Sequence, residues 1–442
     1  MIKTSLPQID IYTPTIKGKE IVKSANEDID VDNFLHYPLL INNDGSLWKH
    51  GNLYLLSKLK TYNKPSFKTL NSIASDLKAF KQWCDNKNID YLQAPRKRFR
   101  PTYLYRNYLN ALVESNTISI STLKRRIGSI VNFYKYLITV ENIKFKFPLW
   151  ESGIASISYT DRHGFTNSKE VETTDVARVP LTSNSNLFDN SIEDGGKLHP
   201  LSKEQQISII ETLKLVENTE MTLGFLLSLT TGARIQTVYT LRRKHFEQIP
   251  TEDDNNVKIK VGYGTDCDTK FKKLHVLIVP KWVYNKMRIY LKSPRALKRL
   301  NKAKHIFHEE NLQYAFLNKI GKPYYSATDD LYNKLYREPP NGNAIRVFIN
   351  GTLKDELLKQ DNDFHFSFHD LRASFGMNLL DNLMPLVENK EMTLNNALIR
   401  IKEHLGHESL TTTQQYLNFR EQHKIKEQAQ DEFEIYLMDI LS

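Results

Sequence analysis

Apolar residues recur along much of the chain at helical spacing. Leu70, Ile73, Leu77, Phe80 and Cys84 lie three or four apart, and so do Ile120, Leu123, Ile127, Ile130, Tyr134 and Leu137. Each set falls on one helical face, so residues 61–150 are expected to form a small helical domain. A second helical region opens at Ser202, which stands three residues before Gln205 as in a capping box; Ile207, Ile210, Leu213 and Val216 continue it. An apolar helix follows over Leu223–Leu229 and stops at Gly232, and a new helix starts with Arg234 in its first turn. Residues 257–261 and 275–279 alternate or run β-branched and predict two strands. Helices are also predicted over 365–379, 394–404 and 411–416.

The helical pattern lapses in two places. Residues 1–60 read as an N-terminal extension, with a β-hairpin where Leu39-Leu40-Ile41 and Leu47-Trp48 flank Asn42-Asn43-Asp44-Gly45. Residues 151–197 are polar and keep no period, and Asn184–Gly196 in particular reads as a flexible linker. Residues 198–442 then form the second domain, closed by an amphipathic helix carrying Ile425, Ala429, Phe433, Tyr436 or Leu437, and Ile440 on one side.

Charge sharpens this picture. The formal net charge is +10, which favours a polyanionic partner without choosing among DNA, RNA and anionic lipid. Between Pro95 and Trp150 there are eleven Lys/Arg against two Asp/Glu. That asymmetry points to phosphate contacts by Arg96, Lys97, Arg98, Arg100, Lys124, Arg125 and Arg126, and so to DNA. A second basic stretch, Lys292–Lys304, holds six Lys/Arg and no acid. Two cysteines are too few for a disulfide framework and fit a reducing cytosol. No apolar run approaches the roughly 18 residues that cross a membrane. A cytoplasmic, nucleoid-associated protein is expected.

The chemistry lies in short runs near the C-terminus: His369-Asp370-Leu371-Arg372, then His404-Leu405-Gly406-His407, then Tyr416. Arg234, far upstream, goes with them. Breaking a DNA strand without metal takes a nucleophile, neutralisation of charge on the phosphoryl oxygens, and a proton for the leaving 5′ oxygen. An arginine fork meets two phosphate oxygens at once. A tyrosine oxygen can form a reversible phosphoester, histidine can accept a proton or donate to phosphate, and a hairpin lysine can protonate the leaving group. Singly, each residue has a plain structural explanation. His369, His404 and His407 also suggest a metal set, but Asp370 faces away from His369 and the basic neighbours would repel a cation. No metal or cofactor is expected.

Taken together and in this order, the runs resemble the tyrosine recombinase (phage integrase) family, over about residues 198–430 and, more weakly, 65–147. The resemblance implies a mainly α fold: a helical core-binding (SAM-like) domain, and a mostly helical tyrosine-recombinase catalytic domain with a small β-hairpin sheet. It implies that Arg234 and Arg372 hold the scissile phosphate, that His369 assists proton transfer and that His407 hydrogen-bonds a phosphoryl oxygen. Tyr416 would form a 3′-phosphotyrosyl link. The general acid would be Lys270, by its distance to His275, with Lys272 and then Lys260 as rivals. Two departures stand out: Thr237 replaces the acidic residue usual three positions after the first arginine, and Val387–Glu391 are inserted. The family implies double-stranded DNA as partner, a homotetramer on paired sites assisted in some cases by DNA-bending proteins, and C-terminal docking on a neighbouring protomer. A site-specific recombinase of a mobile element is the expectation. A type IB-like topoisomerase and a non-catalytic DNA-binding relative are the alternatives.

Overall fold

The structure, a computed structural model, describes the chain apart from residues 12–13, 18–19, 24–31, 62–63, 161–165, 179–190, 304–306, 308, 361, 423–437 and 439–442. The described residues are mainly helical, with five two-stranded antiparallel sheets. The chain divides into two compact units, Met1–Ser185 with Lys334–Glu338, and Asn186–Asn333 with Pro339–Ser442.

In the first unit the helices Lys49–Leu59, Phe67–Asn86, Pro101–Glu114 and Ile120–Thr139 pack around one core, with the two faces predicted at Leu70–Cys84 and Ile120–Leu137 turned into it. Leu70, Leu77, Phe80, Cys84, Leu123, Ile127, Ile130, Tyr134 and Leu137 are all buried. Ile120, the first residue of its helix, is exposed. Ser66 and Ser119 cap the two longest helices by accepting hydrogen bonds from the backbone N–H of Thr69 and Thr122. Tyr105 is a core residue, set edge-on to Phe80 at 5.0 Å between ring centroids.

Two expectations for this part of the chain differ from the structure. The hairpin over 39–48 is reduced to its turn, closed by the single bridge between Ile41 and Leu47 and by the Trp48 N–H on the Leu40 carbonyl at 3.0 Å, while strand Asp32–Ile41 pairs along its length with Ile2–Ile11. Gly45 still takes its left-handed turn (φ 84°), but the chain beyond it enters a helix. The N-terminal residues belong to the helical unit, since Met1, Phe34, Tyr37, Leu40, Trp48 and Tyr54 share one core with Leu70 and Phe133. Within 151–197, strands Ser152–Thr160 and Thr166–Thr174 pair as a hairpin where no period was legible. Their mixed Ser, Thr and Glu positions show little apolar alternation, so the pairing had no hydrophobic signature.

In the second unit Ser202 and Gln205 make the predicted capping box at the start of helix Lys203–Val216. Helix Thr219–Thr231 ends at Gly232, whose φ of 67° favours glycine. A Cβ there would also lie 2.6 Å from Phe375 Cδ1. Strand Asn256–Val261 pairs with His275–Pro280, burying Val257, Ile259 and Val261 on one side. Helices Lys281–Lys292 and Pro294–Ala303 follow, then Asp370–Glu388, Leu394–Leu405 and residues 410–422. The inserted Val387–Glu391 finishes the long helix and turns the chain, with Lys390 at φ 58°. Phe225, Tyr239 and Phe368 centre the core. The residues named for the predicted C-terminal amphipathic helix, Ile425, Ala429, Phe433, Tyr436, Leu437 and Ile440, lie outside the described residues.

Candidate active site

Arg234 follows the Gly232 helix stop, as the N-cap of the short helix Ile235–Thr240. Its Nη2 donates to Asp194 Oδ1 at 2.8 Å. Arg372 sits in the first turn of Asp370–Glu388 and is buried. Its two terminal nitrogens are anchored on the backbone, Nη1 to the Gly232 carbonyl and Nη2 to the Leu405 carbonyl, both at 2.7 Å. Its Nε donates to Asp194 Oδ2 at 2.6 Å.

His407 follows Gly406, which ends the helix Leu394–Leu405 in the left-handed conformation. Its Nε2 meets Asp194 Oδ2 at 3.1 Å and its Nδ1 meets Thr413 Oγ1 at 3.0 Å. A carboxylate can only accept, which assigns the ring proton to Nε2 and makes Thr413 the donor to Nδ1. His369 Nε2 likewise donates to the Asp194 backbone carbonyl at 3.1 Å. Burial, reinforced by the Arg372 charge, lowers the pKa of both histidines and keeps them neutral at pH 7, although Asp194 pulls the other way. Asp370 turns from the site, accepting from the backbone N–H of Ser367 and His199 at 2.7 Å each.

Asp194 is therefore the point on which the predicted residues converge. Burial alone would raise its carboxyl pKa. The hydrogen bond from His407 and the charges of Arg372 and Arg234 outweigh that and hold it well below the usual carboxylate range. Sequence reasoning placed Asp194 in a flexible linker. It stands instead at the tip of a small hairpin, Ile192–Glu193 against Lys197–Leu198. The signal available was an acid directly before Gly195-Gly196, whose φ values of 77° and 155° favour glycine and form the turn.

Tyr416, on the helix of residues 410–422, is wholly buried, and its hydroxyl has no hydrogen-bond partner among the described residues. Its ring lies 5.9 Å from that of His407. Gly376 makes room for it, since a Cβ there would fall 2.4 Å from Tyr416 Cε1. Burial raises the phenol pKa, opposed by Arg372 and Arg234. A buried hydroxyl left unpaired costs about 1–3 kcal/mol.

The hairpin between the two strands brings Lys270 to the same cleft, of about 200 Å³, that Asp194, Arg234, Arg372 and His407 line. A Cβ on Gly195 would be 3.0 Å from Lys270 Nζ. Lys272 turns away to Asp329 at 2.7 Å, and Lys260 projects to solvent from the face opposite Ile259 and Val261. Lys273, unassigned by the sequence, also lines the cleft and donates to the Gly406 carbonyl at 3.1 Å. His275 Nε2 donates to the His404 carbonyl at 3.2 Å, tying the strand to the helix end. His404 packs its ring near Phe375. Among the described residues no group of three or more His, Cys, Asp or Glu could hold a metal ion.

Of the residues expected to meet DNA phosphates, Arg96, Arg98 and Lys124 are exposed. Lys97 is exposed and paired with Glu151. Arg125 bonds both oxygens of buried Asp76 at 2.6 Å, and Arg126 Nε lies 4.0 Å from that carboxylate. Arg100 is buried, with Nε on the Pro95 carbonyl at 3.4 Å, so its charge is spent inside the unit. The second basic stretch is also partly structural: Arg295 and Arg299 pair with buried Glu220 at 2.8 and 2.7 Å.

No family model matches the chain, and no curated protein matches it. Solved structures do. The similarity is to DNA integrases. One is the Tn1549 transposon integrase in complex with circular intermediate DNA, at 13% identity over 82% of this chain and 94% of that one, TM-score 0.46. Another is a lambda integrase dimer bound to a core site, at 15% identity over 84% of this chain and 94% of that one, TM-score 0.41. A third is a lambda integrase tetramer bound to a Holliday junction, at 15% identity over 84% of this chain and 80% of that one, TM-score 0.39. At such distance the functional reading rests on the geometry of the site itself. No helix of the described residues is long and apolar enough to cross a membrane.

Proposed function

We propose that the chain is a site-specific DNA recombinase, serving a mobile element, that cuts and rejoins strands through a 3′-phosphotyrosyl intermediate. The observation that carries this reading is the convergence of Arg234, Arg372 and His407 on one anion beside the unpartnered hydroxyl of Tyr416. Two guanidiniums and an N–H directed at one point form a receptor for a phosphodiester, and such preorganised donors each supply about 3–4 kcal/mol to a transition state.

In the proposed reaction the Tyr416 oxygen attacks the scissile phosphorus, a P–O bond to tyrosine forms, and the bond to the 5′ oxygen breaks. Neutral His369 takes the phenol proton, Lys270 protonates the departing 5′ oxygen, and Arg234, Arg372 and His407 hold the non-bridging oxygens. Attack by a 5′ hydroxyl on the phosphotyrosine reverses these steps and reseals a strand. The phosphoester conserves the energy of the broken bond, so no nucleotide cofactor is consumed. Double-stranded DNA is the substrate and a homotetramer on paired sites is the acting assembly. The exposed Arg96, Arg98 and Lys124 of the helical unit suit phosphate contacts.

The test is covalent capture. The full chain is incubated with a pool of nicked duplexes of varied sequence, denatured in detergent, and examined for DNA joined to protein. An adduct that disappears in Tyr416→Phe is expected, and its DNA reports the target site. No adduct from the wild type across the pool would overturn the enzyme reading, and relaxation of plasmids lacking paired sites would replace the recombinase with a topoisomerase.

A further inference from the structure

Asp194 takes up the donors that the proposed reaction needs for its substrate. One of its oxygens accepts from Arg234 Nη2 at 2.8 Å; the other accepts from Arg372 Nε at 2.6 Å and from His407 Nε2 at 3.1 Å. A phosphodiester also presents two oxygens and a single negative charge. We propose that Asp194 is a built-in phosphate surrogate, and that the hairpin 192–198 is an autoinhibitory latch which DNA must displace before Tyr416 can react. This inference rests on the reading of the site as a phosphodiester receptor.

A permanent supporting role for Asp194, in place of the acid missing at Thr237, does not fit the geometry. Neutral His407 has one ring N–H, and its other nitrogen is taken by Thr413. Each terminal nitrogen of Arg372 commits one of its two N–H groups to a backbone carbonyl, and its single Nε–H is committed to Asp194. The N–H of His407 and the Nε of Arg372 can serve a phosphate only if the carboxylate withdraws. His369 is engaged as well, through the Asp194 carbonyl at 3.1 Å. One residue thus occupies both arginines and both histidines.

The latch reaches the nucleophile too. The Glu193 N–H donates to Gln415 Oε1 at 2.6 Å, beside Tyr416 in the chain. Ile192 and Leu198 are buried in the same apolar cluster as Tyr416. Yet the hairpin is held by only two residue pairs, Ile192 with Leu198 and Glu193 with Lys197. A ladder that short has little stability of its own, so ligand binding can shift it. Its release would empty the anion pocket and uncover the Tyr416 ring together. DNA would then spend part of its binding energy on displacement, and its apparent affinity would fall in proportion to the open fraction.

The test uses full-length wild type, Asp194→Asn and Gln415→Ala, with inorganic sulfate as the probe of the pocket and a nicked duplex as the probe of the reaction. Sulfate, compared with chloride at equal ionic strength, is expected to raise the melting temperature of Asp194→Asn by several degrees and to leave the wild type nearly unchanged. Adduct formation by Asp194→Asn is expected to be on the order of tenfold faster. Slower or unchanged adduct formation, or equal stabilisation of both proteins by sulfate, overturns the latch. If no protein forms an adduct while sulfate still stabilises only the variant, the latch stands and the strand-exchange reading fails. Should Asp194→Asn not fold, Gln415→Ala loosens the hairpin and leaves the pocket residues in place. It should then form adduct faster than wild type, and an equal or slower rate overturns the proposal.

Discussion

Arg372 and Asp194 meet at 2.6 Å across 178 residues of sequence, both almost completely buried. The pair joins the first turn of the long helix to the tip of a four-residue sheet, and its geometry has consequences for stability. Arg372→Ala leaves the Asp194 carboxylate and the Gly232 and Leu405 carbonyls short of a donor. A loss of about 3–5 kcal/mol is expected, as when one partner is removed from a buried ion pair, read by urea denaturation. Arg372→Lys keeps the charge but cannot reach three acceptors in three directions, so it should recover only part of that loss.

Tyr416→Phe should separate stability from function. The phenol oxygen is buried without a partner among the described residues, so its removal relieves a penalty instead of breaking a bond. The variant is expected to be more stable by about 1 kcal/mol while forming no covalent adduct. Thermal melting beside the capture assay checks both halves. A loss of stability would mean that the hydroxyl is hydrogen-bonded in solution.

Lys270 and Lys272 stand two residues apart and should behave differently. Lys270→Ala is expected to slow cleavage by about 10²–10⁴-fold, the usual worth of a general acid. A duplex with sulfur in place of the bridging 5′ oxygen should restore most of the rate, because a thiolate leaves without a proton. Lys272 is engaged by Asp329, and Lys272→Ala should cleave at close to the wild-type rate. Single-turnover rates on the two substrates distinguish the lysines.

Acid should weaken the second unit in two stages. His369 and His407 have pKa values lowered below 6.5, so the unfolded chain binds their protons first and stability falls as the pH drops below about 6.5. Asp194 has a depressed pKa. Its contribution is complete above the unfolded value near 3.9 and is lost as the pH falls further. Urea midpoints from pH 8 to 3 check this: Asp194→Asn should lose the lower stage and keep the upper one.

DNA affinity should separate the exposed basic residues from the buried one. Arg96→Ala, Arg98→Ala and Lys124→Ala should each weaken binding and lower the slope of log affinity against log salt by about 0.9. Arg100→Ala should destabilise the helical unit and leave the slope unchanged, because that side chain is buried. Titrations at several salt concentrations, with a melting curve for each variant, decide the assignment.

Much of this molecule could be read from local pattern. Spacings of three and four gave the helical faces at Leu70–Cys84 and Leu123–Leu137, and Ser202 with Gln205 marked a helix start. Gly232 marked a helix end, and alternation gave the strand with Val257, Ile259 and Val261. These signals work because helix and strand periods depend on neighbours a few residues away. Of the residues named by the resemblance, Arg234, Lys270, Arg372 and His407 line one cleft of the second unit, His369 lines a neighbouring one, and Tyr416 is buried with its ring 5.9 Å from that of His407.

Local pattern in the sequence was enough for the apolar faces of the main helices, for the capping box at Ser202 and for a set of candidate side chains. The folded chain was needed to show which strand pairs with Asp32–Ile41, that Arg100 turns inward, that Lys270 and not Lys272 faces the cleft, and that Asp194 fills it. Each of those depends on contacts between residues far apart in the chain, where the choice among partners is made by burial and charge compensation. An acid before two glycines looks like a linker until two arginines and a histidine, brought from 40 to 213 residues away, are placed around it.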